Sequence, residues 1–151
     1  MAVRRFGLVA LLSCALASGH PGFSQNIKAA RTVFIDNEAG DSSVLDSVHL
    51  VLAASDLRWK NDRNGADLIF HFERNAEPSE RTVKGNEIRI AVKNTYTLSV
   101  SDRNGKAVWK NTEDVDPSNV RNENTERSWI DYLHKHPAAK LVTMFLKNRS
   151  E

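Results

Sequence analysis

The sequence holds one cysteine, Cys14, in 151 residues. That cysteine falls in a segment expected to be removed, so the mature domain has no disulfide and no thiol nucleophile, and its core alone must hold it together. There is no Gly-x-Ser-x-Gly elbow and no glycine-rich phosphate loop; the seven glycines stand singly along the chain. No apolar run reaches the roughly 20 residues of a permanent membrane-spanning helix. An excess of one charge is missing as well, with 21 basic and 19 acidic side chains. Loss of Arg4 and Arg5 with the amino-terminal segment brings the formal charge to zero. A neutral surface of interspersed signs excludes a basic stripe for nucleic acid and a polybasic membrane-surface segment.

The amino terminus has the pattern of an export signal. Met1 to Arg5 is a short positive stretch, Phe6 to Ala17 is apolar and uncharged, and Ala15-Leu16-Ala17 and Ala17-Ser18-Gly19 place small residues where signal peptidase cuts. A buried helix here would need a polar face, and this segment has none. The expectation is a signal peptide over 1–19, a flexible leader over 20–30 and a single domain over 31–151, exported to the periplasm or secreted. Leu11-Leu12-Ser13-Cys14 resembles the bacterial lipoprotein box, which makes Cys14 a candidate for lipidation. The apolar run continues past it through Ala17, which favours cleavage after Ala17 or Gly19 over an outer-membrane lipoprotein.

Arg31 to Asp36 is rich in β-branched and aromatic residues and reads as a first strand. A helix follows, with Ser43 and Asp46 approximating a capping box and Val44, Leu45, Val48, Val51 and Leu52 on one face. Leu57–Lys60 and Asp67–Arg74 read as strands, and Glu77–Lys84 as a polar loop. Ile88, Ile90 and Val92, then Tyr96, Leu98 and Val100, alternate with polar residues, as in strands with one buried and one wet face, with a break near Asn94. Asp102-Arg103-Asn104-Gly105 predicts a hairpin turn into Ala107–Lys110. Residues 111–123 read as irregular. Apolar stripes of Trp129, Ile130 and Leu133, and of Leu141, Val142, Phe145 and Leu146, predict two helices, with Pro137 the first residue of the second. The fold class is therefore α+β: a two-layer sandwich with a mostly antiparallel or mixed sheet of about five to six strands, one helix after the first strand and carboxyl-terminal helices on the same side.

This order, with Ala66-Asp67-Leu68-Ile69-Phe70 after the second strand and Leu98–Asp102 running into Gly105–Trp109, resembles small bacterial envelope domains. Similar phrases occur in the amino-terminal domain of the Tol-Pal translocation protein and in relatives of the curli-secretion lipoprotein. The resemblance covers residues 31–110 and implies the fold alone; those relatives act by holding partners, and a shared fold does not transfer function.

Candidate chemistry is sparse. His134 and His136 form a His-x-His pair, but on a helix these point about 200° apart and lack a third ligand. His49 is expected on the polar side of its helix, and His71 beside Ile69 and Glu73 on the outward face of the third strand. Asp36, Glu38 and Asp41 form an acidic cluster that does not match a calcium loop. Trp59, Trp109 and Trp129 would serve as a carbohydrate platform if exposed, but two of the three are expected in the core. Asp-Arg-Asn-Gly at 62–65 and 102–105 reads as repeated turn chemistry. No catalytic, cofactor or metal residues are assigned. The leading expectation is a non-enzymatic domain that binds an envelope or extracellular protein through a wet sheet face carrying Arg89, Lys93, Thr97 and Ser99. The alternatives are a cryptic glycan- or peptide-directed hydrolase and a lipid-anchored assembly factor dependent on Cys14.

Overall fold

A computed structural model describes residues 25–115 and 126–151; the segment expected to be a signal peptide, both expected cleavage positions and Cys14 lie outside the described residues. The architecture is α+β. Helix α1 (Gln25–Ala29) is followed by β1 (Thr32–Asn37), α2 (Ser42–Ala53), β2 (Arg58–Trp59), β3 (Leu68–Lys84), β4 (Glu87–Asp102), β5 (Ala107–Val115), α3 (Glu126–Lys135) and α4 (Pro137–Ser150). The strands form one five-stranded sheet in the order β2-β1-β3-β4-β5. β1 runs parallel to β2 and β3, whereas β3, β4 and β5 are mutually antiparallel. The mixed pattern follows from connectivity: α2 carries the chain back over the sheet before β2 and β3, while β3, β4 and β5 are joined by tight turns.

One sheet face is covered and the other is open. Val33 and Ile35 of β1, Leu68, Phe70 and Phe72 of β3, and Leu98 and Val100 of β4 pack with Val44, Val48 and Leu52 of α2 and with Leu141, Val142 and Phe145 of α4. Phe145 meets Phe70 edge-on at 5.2 Å and Trp109 at 5.6 Å. Such burial contributes about 1.5–3 kcal/mol per large apolar side chain, so this helical layer is where the stability lies.

Local chemistry fixes the element ends. The amino-terminal cap of α2 is Asp41, whose carboxylate accepts from the Ser43 N–H at 2.9 Å, rather than the Ser43/Asp46 pair expected from sequence. α4 begins as read, with Pro137 in its first turn and His136 capping it. Both Asp-Arg-Asn-Gly repeats are aspartate-stabilised turns, Asn64 N–H donating to Asp62 and Asn104 N–H to Asp102, each at 2.9 Å. Gly105 takes φ 79° there, a conformation that glycine adopts freely.

Five expectations need correction. Residues 25–30, read as part of a leader, are packed: Ile27 and Ala30 are buried, and the buried Arg149 of α4 donates to the carbonyls of Ile27 (2.9 Å), Lys28 (3.0 Å) and Ala30 (2.6 Å) and to Asp56 (2.6 Å). Glu77–Lys84 is not a loop but the outer half of β3, paired with Glu87–Lys93; Pro78 is absorbed by a bulge between Pro78 and Glu80. β4 runs through Asn94 without a break, and β5 extends to Val115 rather than stopping at Lys110. Finally, Trp59 and Trp129 are 45% and 48% exposed, and only Trp109 packs partly against the core. Trp59 sits on the two-residue edge strand, and Trp129, near the start of α3, stacks on the exposed Tyr132 at 5.2 Å.

Candidate functional site

The open sheet face is built by alternation. Val33 and Ile35 point into the core, so Phe34 and Asp36 point out; the same rule places Ile69, His71 and Glu73 of β3 outward, with Thr97 and Ser99 of β4. The strand register lines these residues up in rows. Asp36 lies opposite His71, His71 opposite Ser99, and Ser99 opposite Lys110; one step on, Glu73 faces Thr97 and Thr97 faces Thr112.

At one end of these rows stands a histidine among carboxylates. His71 Nδ1 is 3.2 Å from Asp36 Oδ2, and its Nε2 is 3.8 Å from Glu38 Oε2 and 3.7 Å from Glu73 Oε1. Arg63, on the turn before β3, stands 3.8 Å from the same Asp36 oxygen. Asp36, Glu38 and His71 offer ligand atoms within 4.8 Å of one another. Two i, i+2 pairs generate the cluster, Asp36 with Glu38 and His71 with Glu73, brought side by side because β1 and β3 run parallel. Sequence reading finds each residue and misses the assembly: Asp36 and Glu38 are grouped with Asp41, and His71 is left alone.

Asp41 belongs elsewhere. It turns toward the covered side, where its Oδ2 accepts from the Tyr96 hydroxyl at 2.6 Å and lies 3.4 Å from His136 Nε2. Burial raises the Asp41 pKa, but hydrogen bonds from Tyr96 and Ser43 outweigh it and hold the carboxyl below its ordinary value. Burial and the Asp41 contact push Tyr96 up to about 12, while burial lowers His136 against the opposing pull of Asp41. Tyr96 and His136 are 5% and 3% exposed, so this knot joins α2, β4 and α4 and presents no open surface for a substrate. The His-x-His pair is split, with His134 exposed and His136 buried. His49 lays its ring against Trp59 at 4.6 Å.

A groove of about 440 Å³ lies at the other end of the sheet, lined by Ile27, Ala30, Asp67, Asp102 and Arg103 among others. Its most perturbed acid is Asp67, held down to about 2 by the Arg31 backbone N–H first and then by Thr32 and Arg103. Those bonds occupy both carboxylate oxygens, which tie β1 to β3 and leave no free base at that position.

The four residues expected to form a partner face all lie on β4 and are spread along it. Thr97 and Ser99 are half-buried beside the His71 row, while Lys93 bonds Asp114 at 2.6 Å and Arg89 lies further out, opposite Thr82. From Arg89 to Ser99 is about 30 Å along an extended strand.

That outward run is the most unusual surface. β1 pairs with β3 only as far as Phe72, and β5 with β4 only from Asn94 onward. Beyond these limits the β3–β4 hairpin continues as a two-stranded arm of about 25 Å, closed by Gly85 with φ 63° at the first loop position, where type II′ turns place glycine. Ile88, Ile90 and Val92 continue the side of β4 that buries Tyr96, Leu98 and Val100, and Val83 pairs with Ile88. Sequence alternation predicts Ile88, Ile90 and Val92 to be buried, and Val83 falls in the stretch read as a polar loop. All four are exposed instead: Val83, Ile88, Ile90 and Val92 are 62, 55, 59 and 40% exposed, because no described helix reaches them.

No helix among the described residues is long and apolar enough to cross a membrane. No protein-family model matches the chain, and no curated protein matches it. Solved structures similar to it include two bacterial lipoproteins. One is a minor lipoprotein from Acinetobacter baumannii, 18% identical, with a TM-score of 0.46 over 80% of this chain and 91% of that one. The other is an uncharacterized lipoprotein B from Nitrosomonas europaea, 12% identical, with a TM-score of 0.40 over 78% of this chain and 80% of that one.

Proposed function

We propose that this chain is an exported, non-enzymatic binding domain of the bacterial envelope, and that it grips a protein partner with the β3–β4 arm. One observation carries the reading: the apolar side of the sheet runs past the helices onto the arm and stays exposed at Val83, Ile88, Ile90 and Val92. Water is a poor solvent for such a strip, and a neighbouring chain is the ordinary way to cover one. Among the described residues, no strand pairs with the outer edges of the arm, which suits a partner that adds a strand. Export rests on the positive-then-apolar amino terminus, and the absence of a nucleophile motif supports a binding role.

The test is photo-crosslinking in the native host from a reactive residue placed at position 90. A discrete adduct that disappears on Ile88→Glu with Val92→Glu supports the reading. An adduct that survives those changes but is lost on Arg89→Glu with Lys93→Glu moves the contact to the polar side of the arm, and no adduct at all overturns the arm as a grip. The intact mass of the processed chain settles its form: a start at Ser18 or His20 gives a diffusible domain, and an acylated start at Cys14 gives a lipid-anchored assembly factor.

A further inference from the structure

We propose that His71, Glu38 and Glu73 form a binding site for one divalent transition-metal ion of the zinc class, with Asp36 as the residue that positions the histidine. The site lies on the open sheet face, away from the apolar side of the arm, and does not depend on the partner reading.

The two ring nitrogens of His71 have different surroundings. Nδ1 faces Asp36 Oδ2 at 3.2 Å, and the tautomer that donates to that carboxylate leaves the Nε2 lone pair outward. That lone pair points to the region where Glu38 and Glu73 place carboxylate oxygens 3.8 and 3.7 Å away. Ligand atoms bound to one tetrahedral zinc ion at about 2.0–2.2 Å lie about 3.4 Å apart. Both contacts to the nitrogen are within a few tenths of an ångström of that spacing; the ligand atoms that already lie within 4.8 Å of one another are those of Asp36, Glu38 and His71, and Glu73, an exposed side chain, swings toward Glu38 to complete the set. A carboxylate on the far nitrogen of a metal-bound histidine is the usual outer-shell arrangement, fixing tautomer and ring orientation. Arg63 in turn sits 3.8 Å from Asp36, restraining that carboxylate.

Charge points the same way. Asp36, Glu38 and Glu73 bring three carboxylates to one imidazole, and Arg63 offsets one of them. Among the described residues, the ion-pair contacts of Glu38 and Glu73 are to His71 alone. Two uncompensated carboxylates around one imidazole nitrogen repel each other, and a divalent cation neutralises both. An imidazole donor with two carboxylates suits zinc, cobalt or nickel better than calcium or magnesium, which favour all-oxygen shells. Solvent supplies the remaining coordination position.

The experiment is calorimetric titration of the untagged, host-processed chain with zinc chloride, with cobalt(II) visible absorption as an independent signature of donor geometry. The expected result is one ion per chain at micromolar affinity. His71→Ala should abolish it, and Glu38→Gln and Glu73→Gln should each weaken it about tenfold. Asp36→Asn should weaken it ten- to a hundredfold while retaining the cobalt spectrum, since it alters orientation rather than ligand set. Glu38 and Glu73 are surface positions, so their variants report on the site even if His71→Ala disturbs folding. His134→Ala should leave affinity unchanged. A wild-type chain that takes up no ion at stoichiometric concentration overturns the proposal, as does affinity that His71→Ala, Glu38→Gln and Glu73→Gln all leave unchanged.

Discussion

Leu98 and Ile90 lie on the same strand, an even number of positions apart, and so on the same side of the sheet, yet one is fully buried and the other is 59% exposed. The body of the sheet and its arm share strands, pleat and hydrophobic pattern. They differ in what lies above them: α2 and α4 cover the body, and no described element covers the arm. Alternation reports only which side of a strand a residue faces. Burial is a second event that requires a partner layer. In the body the chain supplies that layer itself, and the arm presents the same surface ready for one.

The strongest way to break this comparison is to remove the same kind of side chain from each region. Leu98→Ala should lower the free energy of unfolding by about 2–5 kcal/mol, since it empties a sealed position between the sheet and its helices. Ile90→Ala should change it by no more than about 0.5 kcal/mol, as at an ordinary surface site. Urea denaturation at constant slope reads both. Equal losses would mean that the arm is packed as the body is, and the unpartnered strip would no longer exist.

The body also holds a polar knot that the arm lacks, and pH separates the two regions. His136 accepts from the Ala138 N–H through Nδ1 at 3.2 Å, and it is shut in against Asp41, Tyr96 and Tyr132. A proton on Nδ1 would turn that acceptor into a donor facing another donor. Burial lowers the folded-state pKa of His136 below its ordinary 6.5. Above about pH 6.5 both folded and unfolded forms are neutral and this group gives no slope. Below it the unfolded chain takes up the proton first, so the contribution is lost as pH falls toward the depressed folded value. The melting temperature of the wild type should therefore drop between about pH 6.5 and 5. His136→Asn, which keeps a capping acceptor and loses the titrating group, should flatten that drop. A variant with the wild-type slope would place the pH sensitivity elsewhere.

These differences explain what was legible in the sequence. The periodicities of Val44, Val48 and Leu52, and of Leu141, Val142 and Phe145, read correctly because each helix buries a stripe against the sheet, and Pro137 marked a boundary for a local reason. Glu77–Lys84 read as a loop because charges and Pro78 hide a strand whose pairing partner lies across the hairpin. The candidate site was legible residue by residue and invisible as a whole: Asp36 and His71 are 35 positions apart and meet only through the parallel register of β1 and β3. Asp41 misled for a related reason, since Asp36 and Glu38 join the cluster on the open side while its own side chain caps α2 beneath the sheet.

The finest comparison uses one substitution at two turns. Gly85 and Gly105 both adopt positive φ, 63° and 79°, and a Cβ built on either meets nothing within 4 Å. Replacement by alanine therefore has the same physical cause at each, a backbone penalty of about 1–2 kcal/mol with no steric clash. The consequence depends on what each turn is coupled to. Gly105 closes the β4–β5 connection, where the Asp102 N–H bonds the Lys106 carbonyl at 3.0 Å and the strands lie against the core, so Gly105→Ala should lower the global melting temperature. Gly85 closes a ribbon held only by its own pairing, and isolated two-stranded ribbons are marginal. Gly85→Ala should leave the global transition in place and instead open the arm, reducing hydrogen-exchange protection of the Ile88–Val92 amides by about fivefold or more while those of Leu98 and Val100 are unchanged. If Gly85→Ala lowers protection in both segments together, arm and body form one cooperative unit, and the arm cannot be a separately adjustable grip.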